Sequence, residues 1–288
     1  MRDLPLSPAV RCDGVVTANR PVSSGLLQLD LELDRPVTFQ PGQFAMLNLP
    51  GAGSLVFSRP FSIYQADGPR VSFLYRVVGR GTGAMGALTP GEPMTFLGPL
   101  GRPFPGPTEG TPVVLIAGGV GLPPLAAWLD RQCGPATENI QAFFGARDGA
   151  DVPWDLLADR WSVSVDEMRE VPEGRRAWKG LVTELVASRG DLADGGPPMV
   201  LACGPTPLLK AAARLAAGRR WTCWLSLEEH MGCGYGVCKG CVVPVLDSAR
   251  GPAGRRNATC CEEGPVFNAA DLAWDGPAGD VSARAEET

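Results

Sequence analysis

Apolar and polar positions alternate in short runs through the first hundred residues: "GLLQLDLEL" (25–33), "GQFAMLNLP" (42–50), "FSIYQA" (61–66), "RVSFLYRVV" (70–78) and "PMTFLG" (93–98). A period of two marks strands with one buried face. Turn formers in "RPVSSG", "QPGQ" and "ADGPR" separate these runs at short intervals, so residues 1–107 predict an antiparallel barrel or sandwich. From about residue 108 the period changes. "TPVVLIAGG" is apolar throughout, as a strand buried on both faces must be, and "GLPPLAAWLDRQ" follows with helical spacing. Later strands at 139–147, 161–167, 199–204 and 221–227 enclose the helical stretches "KGLVTELVASRG" and "PTPLLKAAARLAA", which predicts a doubly wound α/β domain over 108–227. Residues 228–275 show little periodicity and form a third segment. The closing "GPAGDVSARAEET" (276–288) has the composition of a disordered tail.

Composition narrows the function classes. With 44% hydrophobic and 20% charged residues, the chain has ample material for folded cores. A net charge of −5 with scattered basic residues argues against nucleic acid as a partner. The start "MRDLPLSPAV" lacks an apolar signal region and no long apolar run follows, so a cytoplasmic protein is expected. Nine cysteines are too sparse for a disulfide scaffold, yet Cys233, Cys238, Cys241, Cys260 and Cys261 crowd together. That skew points to metal or redox chemistry.

The crowded stretch "HMGCGYGVCKGC" (230–241) spaces its cysteines as C-x4-C-x2-C, with Cys260 and Cys261 further on, which is the plant-type [2Fe–2S] pattern. Its glycines allow sharp turns that aim amide N–H groups at sulfur. Structural zinc usually uses two short C-x2–4-C pairs instead. His230, the single histidine, would be a Rieske-type candidate, but the thiol set is complete without it. Cys12, Cys133, Cys203 and Cys223 are expected to pack as small apolar groups.

A cluster of this kind takes electrons singly, so a flavin is expected upstream. "SRPFSIY" (58–64) offers an arginine for pyrophosphate and a serine hydroxyl, and "LYRVVGRGT" (74–82) adds a Gly-Thr able to approach phosphate. "GPLGRPF" (98–104) ends the first segment. In "IAGGVGLPPL", Gly118, Gly119 and Gly121 lie between a buried strand and a helix N-terminus, where a pyrophosphate is received. "CGPTPLLKA" brings Cys203, Gly204 and Pro205 to the carboxyl edge of the same sheet, and the two features together favour a nicotinamide site.

In this order, "RPFSI", "YRVVGRGT", "GPLG", "AGGVGLPPL", "CGPTPLLKA", "SLEEHMGCGYGVCKGC" and "CEEGPVF" resemble the electron-transfer subunits of class 1B dihydroorotate dehydrogenases, in the ferredoxin-reductase superfamily. The resemblance implies an FAD-binding β-barrel, an NAD-binding domain and a small [2Fe–2S] domain, working with a separate FMN-containing catalytic subunit in pyrimidine biosynthesis. It implies FAD contacts at Arg59, Pro60, Phe61, Ser62, Leu74, Tyr75, Arg76, Gly81 and Thr82, and cluster ligands at Cys233, Cys238, Cys241 and Cys261. It also tips the nucleotide to NAD(H), where Arg147 would welcome a 2′-phosphate and Asp148 would repel one. If "TCCEEGPVF" is extended, Cys260 and Cys261 leave on opposite faces, and the family pattern makes Cys261 the ligand. Two rivals remain: the flavin subunit of an NADPH:ferredoxin or sulfide oxidoreductase, and a redox sensor or zinc-stabilised adaptor without flavin.

Overall fold

The computed structural model describes residues 8–49, 58–131, 139–157, 159–251 and 254–274. The predicted tail at 276–288 and Cys133 lie outside them.

Strands β1 (Val10–Pro21), β2 (Leu27–Leu33), β3 (Phe44–Asn48), β4 (Arg59–Asp67), β5 (Arg70–Tyr75) and β6 (Pro93–Leu100) close into an antiparallel barrel in the order β1-β2-β5-β4-β3-β6. Closure removes free edges, and the inward side chains Leu29, Leu31, Phe73 and Phe96 are fully buried. Each such side chain contributes about 1.5–3 kcal/mol by leaving water. The strand expected over 70–78 stops at Tyr75, because helix α1 (Arg80–Gly86) begins just beyond. The Thr82 hydroxyl accepts from the amides of Val78 at 2.9 Å and Gly79 at 3.1 Å, pulling the chain out of the sheet. A helix between two glycines was not predicted, since the capping threonine sits inside it rather than before it.

The second sheet contains β7 (Val113–Gly118), β8 (Ile140–Ala146), β9 (Trp161–Val165), β10 (Trp178–Lys179), β11 (Met199–Cys203) and β12 (Thr222–Ser226). Its order is β10-β9-β8-β7-β11-β12, all parallel, with β15 (Val266–Asn268) added antiparallel at the β12 edge. Helices α2 (Leu122–Arg131), α3 (Trp154–Leu157), α4 (Val182–Ser188) and α5 (Thr206–Arg219) connect the strands. Alternate residues of β7 divide the core: Val113, Leu115 and Ala117 meet α2, while Val114 and Ile116 share a cluster with α4 and α5. Helix α2 carries prolines 123 and 124 in its first turn, where their missing N–H groups cost nothing, and packs against β4 and β5 of the barrel. Helix α5 buries Leu209, Ala212 and Ala216 along one face and ends where Arg220 turns left-handed, φ 57°.

The third segment is more regular than its sequence suggests. β13 (Val242–Leu246) and β14 (Arg255–Thr259) form a hairpin, followed by one helical turn, α6 (Cys260–Glu263). Val243, Val245, Ala258 and Cys260 join the same cluster as Phe44 and Met46 of β3. The Arg102 amide donates to the Gly264 carbonyl at 2.6 Å and the Leu227 amide to the Pro265 carbonyl at 2.9 Å, so this segment is tied to both other parts. No helix among the described residues is long and apolar enough to cross a membrane.

Candidate redox site

A cleft of about 300 Å³ opens where barrel, sheet and third segment meet. From the barrel, Pro60, Phe61 and Ser62 of β4, Leu74 and Tyr75 of β5, then Arg76 and Thr82 line it. Gly121, Cys203 and Gly204 line the side belonging to the sheet. Ten of the predicted residues are thus on one cavity. The Phe61 and Tyr75 rings meet edge to face at 6.1 Å, and the buried Tyr75 hydroxyl donates to Asn19 Oδ1 at 2.9 Å. Burial raises the Tyr75 phenol above its ordinary range.

Arg59, Gly81, Gly118, Gly119 and Pro205 are not lining residues. Arg59 and Gly81 are nonetheless together: a Cβ on Gly81 would lie 2.5 Å from an Arg59 terminal nitrogen, so the guanidinium rests on the glycine backbone. This places a cation against the first turn of α1, a combination that suits a pyrophosphate. Arg76 donates from Nε to the Gly25 carbonyl at 3.3 Å, and its terminal nitrogen lies 3.8 Å from where a Gly119 Cβ would stand. It therefore joins the barrel to the glycine turn.

The three glycines have different physical reasons. A Cβ on Gly118 would meet Leu208 Cδ1 at 2.5 Å, and one on Gly121 would run into the Cys203 carbonyl and lie 2.6 Å from the Gly204 nitrogen. Both permit the β7–α2 and β11–α5 turns to touch. Gly119, with φ +52° and only the flexible end of Arg76 within 4 Å of its Cβ position, is the one that can bring backbone to a ligand.

Sequence reasoning gave no contact role to Phe44, Val78, Val120, Ser226, Leu227, Glu228, Glu229, Met231 or Pro265, which complete the cleft, although all but Phe44 lie in the quoted motifs. The signal for Ser226–Glu229 was available: they follow β12 at the carboxyl edge of a parallel sheet, where such folds place ligands. Burial raises the Glu229 carboxyl, His230 opposes the shift and Glu228 adds to it. Cys203, buried at the end of β11, is pushed up to about 12 by burial, with Ser226 and the Gly204 amide opposing.

Met231, on the cleft wall, leads into the cysteine loop. The Cys238 amide donates to Cys233 Sγ at 3.4 Å, the Cys261 amide to Cys241 Sγ at 3.4 Å, and the Gly236 amide to Cys261 Sγ at 3.2 Å. The four thiols thus stand as two linked pairs, 233 with 238 and 241 with 261. Among the described residues, no three His, Cys, Asp or Glu side chains gather as ligands of a single ion. Two pairs sharing a binuclear group fit this arrangement, and N–H donors aimed at sulfur fit thiolate ligands. Burial would raise the Cys233 thiol, but the amides of Cys238, Tyr235 and Val237 and the Cys238 thiol hold it down to about 6. Burial and the neighbouring Cys241 thiol push Cys261 up to about 12, against the Gly236 amide.

The extended form considered for "TCCEEGPVF" does not occur, since Cys260 and Cys261 open helix α6. A helical turn separates neighbouring side chains by about 100° and still divides them. Cys261 faces the loop, whereas Cys260 is fully buried with its thiol 3.8 Å from the Leu227 carbonyl, and burial raises it strongly. His230 is exposed. Gly234 and Gly236, both at φ +83°, press the loop onto its supports: their Cβ atoms would stand 2.6 Å from Met46 Sδ and 2.5 Å from Glu262 Oε2.

Residues 228–273 match the model of the iron-sulfur cluster binding domain of dihydroorotate dehydrogenase B. The electron transfer subunit of dihydroorotate dehydrogenase B (NAD(+)) from Desulforamulus reducens is 32% identical over 237 residues, covering 82% of this chain and 87% of that protein. The chain belongs to the family of dihydroorotate dehydrogenase B electron transfer subunits. The Streptococcus mutans member is 29% identical, over 90% of this chain and 97% of its own. Among solved structures, a chain of an NADH-dependent reduced ferredoxin-NADP oxidoreductase aligns with a TM-score of 0.69 at 22% identity, covering 96% of this chain and 92% of that one. A ferredoxin reductase of carbazole 1,9a-dioxygenase aligns at 0.64 and 23%, covering 76% and 68%. The rival ferredoxin-reductase reading shares this fold, so the fold does not separate the two; the family membership does. As an electron transfer subunit, the chain is an oxidoreductase component.

Proposed function

We propose that the chain passes electrons between NAD(H), FAD and a [2Fe–2S] cluster, and exchanges them with a separate FMN-containing dihydroorotate dehydrogenase catalytic subunit. One observation carries this reading: the cleft is walled by the barrel motifs, by the glycine turns of the sheet and by the segment that runs directly into the cysteine loop. The names of the relatives, dihydroorotate dehydrogenase B (NAD(+)), support both the nucleotide and the partner.

When bound, a flavin supplies the conversion between electron pairs and single electrons, and the cluster supplies one-electron storage. The chain's own residues position these groups. Arg59, lying on Gly81 beside the α1 N-terminus, would hold the FAD pyrophosphate by charge-assisted contacts. Pro60–Ser62 and Leu74–Arg76 would flank the flavin, with Leu74 and Tyr75 buried and therefore rigid. Gly119, Gly121, Cys203, Gly204 and Pro205 would place the nicotinamide end over it, from the carboxyl edge of the sheet. Cys233, Cys238, Cys241 and Cys261 would hold the cluster, with amide donors offsetting thiolate charge. Hydride exchange between a nicotinamide and a flavin ring would need alignment and exclusion of water rather than a proton-transfer residue. Removing a proton from dihydroorotate belongs, on this reading, to the partner.

The test is anaerobic turnover of the purified holoprotein. NADH should drive reduction of an artificial one-electron acceptor, while dihydroorotate should not be oxidised until the catalytic subunit is added. Dihydroorotate turnover by this chain alone would refute the division of labour.

A further inference from the structure

The relay leaves one ion pair on the cysteine loop without a role. Lys239 Nζ donates to Glu262 Oε2 at 2.9 Å, and both side chains are more than half exposed. An exposed pair of this kind adds little to stability. Its position in the chain matters more. Lys239 follows Cys238, of the Cys233–Cys238 pair, and Glu262 follows Cys261, of the Cys241–Cys261 pair. The ion pair thus straps the two thiol pairs together on the side where Cys238 is exposed.

Both ends of the strap are held near sulfur. Lys239 has φ 53°, a left-handed form that glycine adopts freely and lysine only at a cost, so this turn carries a charged side chain where glycine would suit the backbone better. Its ammonium is within electrostatic reach of Cys261 as well as Glu262. The Glu262 carboxylate also accepts from the Thr259 hydroxyl at 3.3 Å and lies 2.5 Å from where a Gly236 Cβ would stand. It therefore backs the residue whose amide donates to Cys261 Sγ at 3.2 Å. The neighbouring Glu263 turns the other way, to Arg256 at 2.6 Å and the Thr259 amide at 3.1 Å, and takes no part in the strap. One positive and one negative charge stand together beside the thiols, and their net field is small only while both are present.

We propose that the Lys239–Glu262 strap closes the cysteine loop onto α6 and sets the reduction potential of the bound cluster, holding it between the values that either charge alone would impose. This rests on the reading of Cys233, Cys238, Cys241 and Cys261 as ligands of a [2Fe–2S] cluster. An electron added to the cluster adds one negative charge, which a nearby cation favours and a nearby carboxylate opposes. The potential decides how an electron is shared between flavin and cluster, so the strap acts on the relay although neither residue lines the cleft.

The test is an anaerobic redox titration of the full-length holoprotein, with the cluster EPR signal giving the midpoint potential and iron content measured for each variant. Lys239→Gln should make the cluster harder to reduce and Glu262→Gln easier, each by about threefold in the reduction equilibrium, or about 30 mV for a one-electron couple. The double variant should return close to the parent, and both single shifts should shrink at high ionic strength. Loosening of the loop alone would instead move both single variants in one direction or cost iron in both. Shifts of the same sign, unchanged potentials in both single variants, or loss of iron from both would overturn the proposal. A parent protein with no [2Fe–2S] signal after dithionite would refute the cluster reading itself.

Discussion

Gly121→Ala adds one methyl group at the contact between two turns, and the structure sets what that costs. The new Cβ would stand 2.6 Å from the Gly204 nitrogen and closer still to the Cys203 carbonyl, against an ordinary separation of about 3.5 Å. The clash is with backbone on both sides, so no side chain can rotate away, and one turn must retreat by about 1 Å. Overpacking of this sort costs about 1–3 kcal/mol, and the absence of a flexible neighbour puts Gly121 at the upper end. At about 2–4 °C per kcal/mol for a domain of this size, a loss near 3 kcal/mol lowers the melting temperature by about 6–12 °C. The displaced turn also carries Cys203 and Gly204 on the cleft wall, so NADH-dependent flavin reduction should slow even in protein that retains its flavin. Gly119→Ala is the control: its methyl meets only the Arg76 terminal nitrogen, at an ordinary contact distance of 3.8 Å, and costs the left-handed backbone, about 1–2 kcal/mol. Differential scanning calorimetry and stopped-flow reduction read the two effects. A Gly121→Ala protein that melts within about 2 °C of the parent and accepts hydride at the parent rate would refute the reasoning.

Arg59→Ala should lower the flavin retained per chain after dialysis, since a guanidinium contact to phosphate contributes about 1.5–3 kcal/mol. Cys261→Ser should abolish the [2Fe–2S] EPR signal after dithionite reduction, whereas Cys260→Ser should keep it and lose stability alone, because the Cys260 thiol faces the Leu227 carbonyl in the core. Loss of the signal in Cys260→Ser with retention in Cys261→Ser would exchange the two roles. Gly234→Ala should loosen the cysteine loop from the barrel, since its Cβ would press on Met46, and iron content per chain measures the outcome.

Barrel and sheet were legible because their strands follow simple periods: alternation in β2 and β5, and the unbroken apolar run of β7. Helix α1 was not, because its organising contact runs from Thr82 back to the amides of Val78 and Gly79, against the usual order of a capping residue. The third segment hid its structure for another reason. β15 is three residues long and gains its partner, β12, from a distant part of the chain, and β13 pairs across the loop with β14 in five residues apiece. The cysteine spacing named the ligand candidates, but only the folded turn of α6 separates Cys260 from Cys261. Ser24 and Asp151 meet across 127 residues of sequence, a juxtaposition that no local pattern encodes.

The most direct test of the relay is an anaerobic titration of the purified holoprotein with NADH, followed by visible absorption and EPR on the same sample. The account predicts a bound flavin that bleaches on NADH addition, two iron atoms per chain, and a reduced [2Fe–2S] EPR signal that grows as the flavin is reduced. A protein that holds flavin and cluster yet shows no cluster signal after NADH, while dithionite elicits one, would contradict electron passage between the two sites.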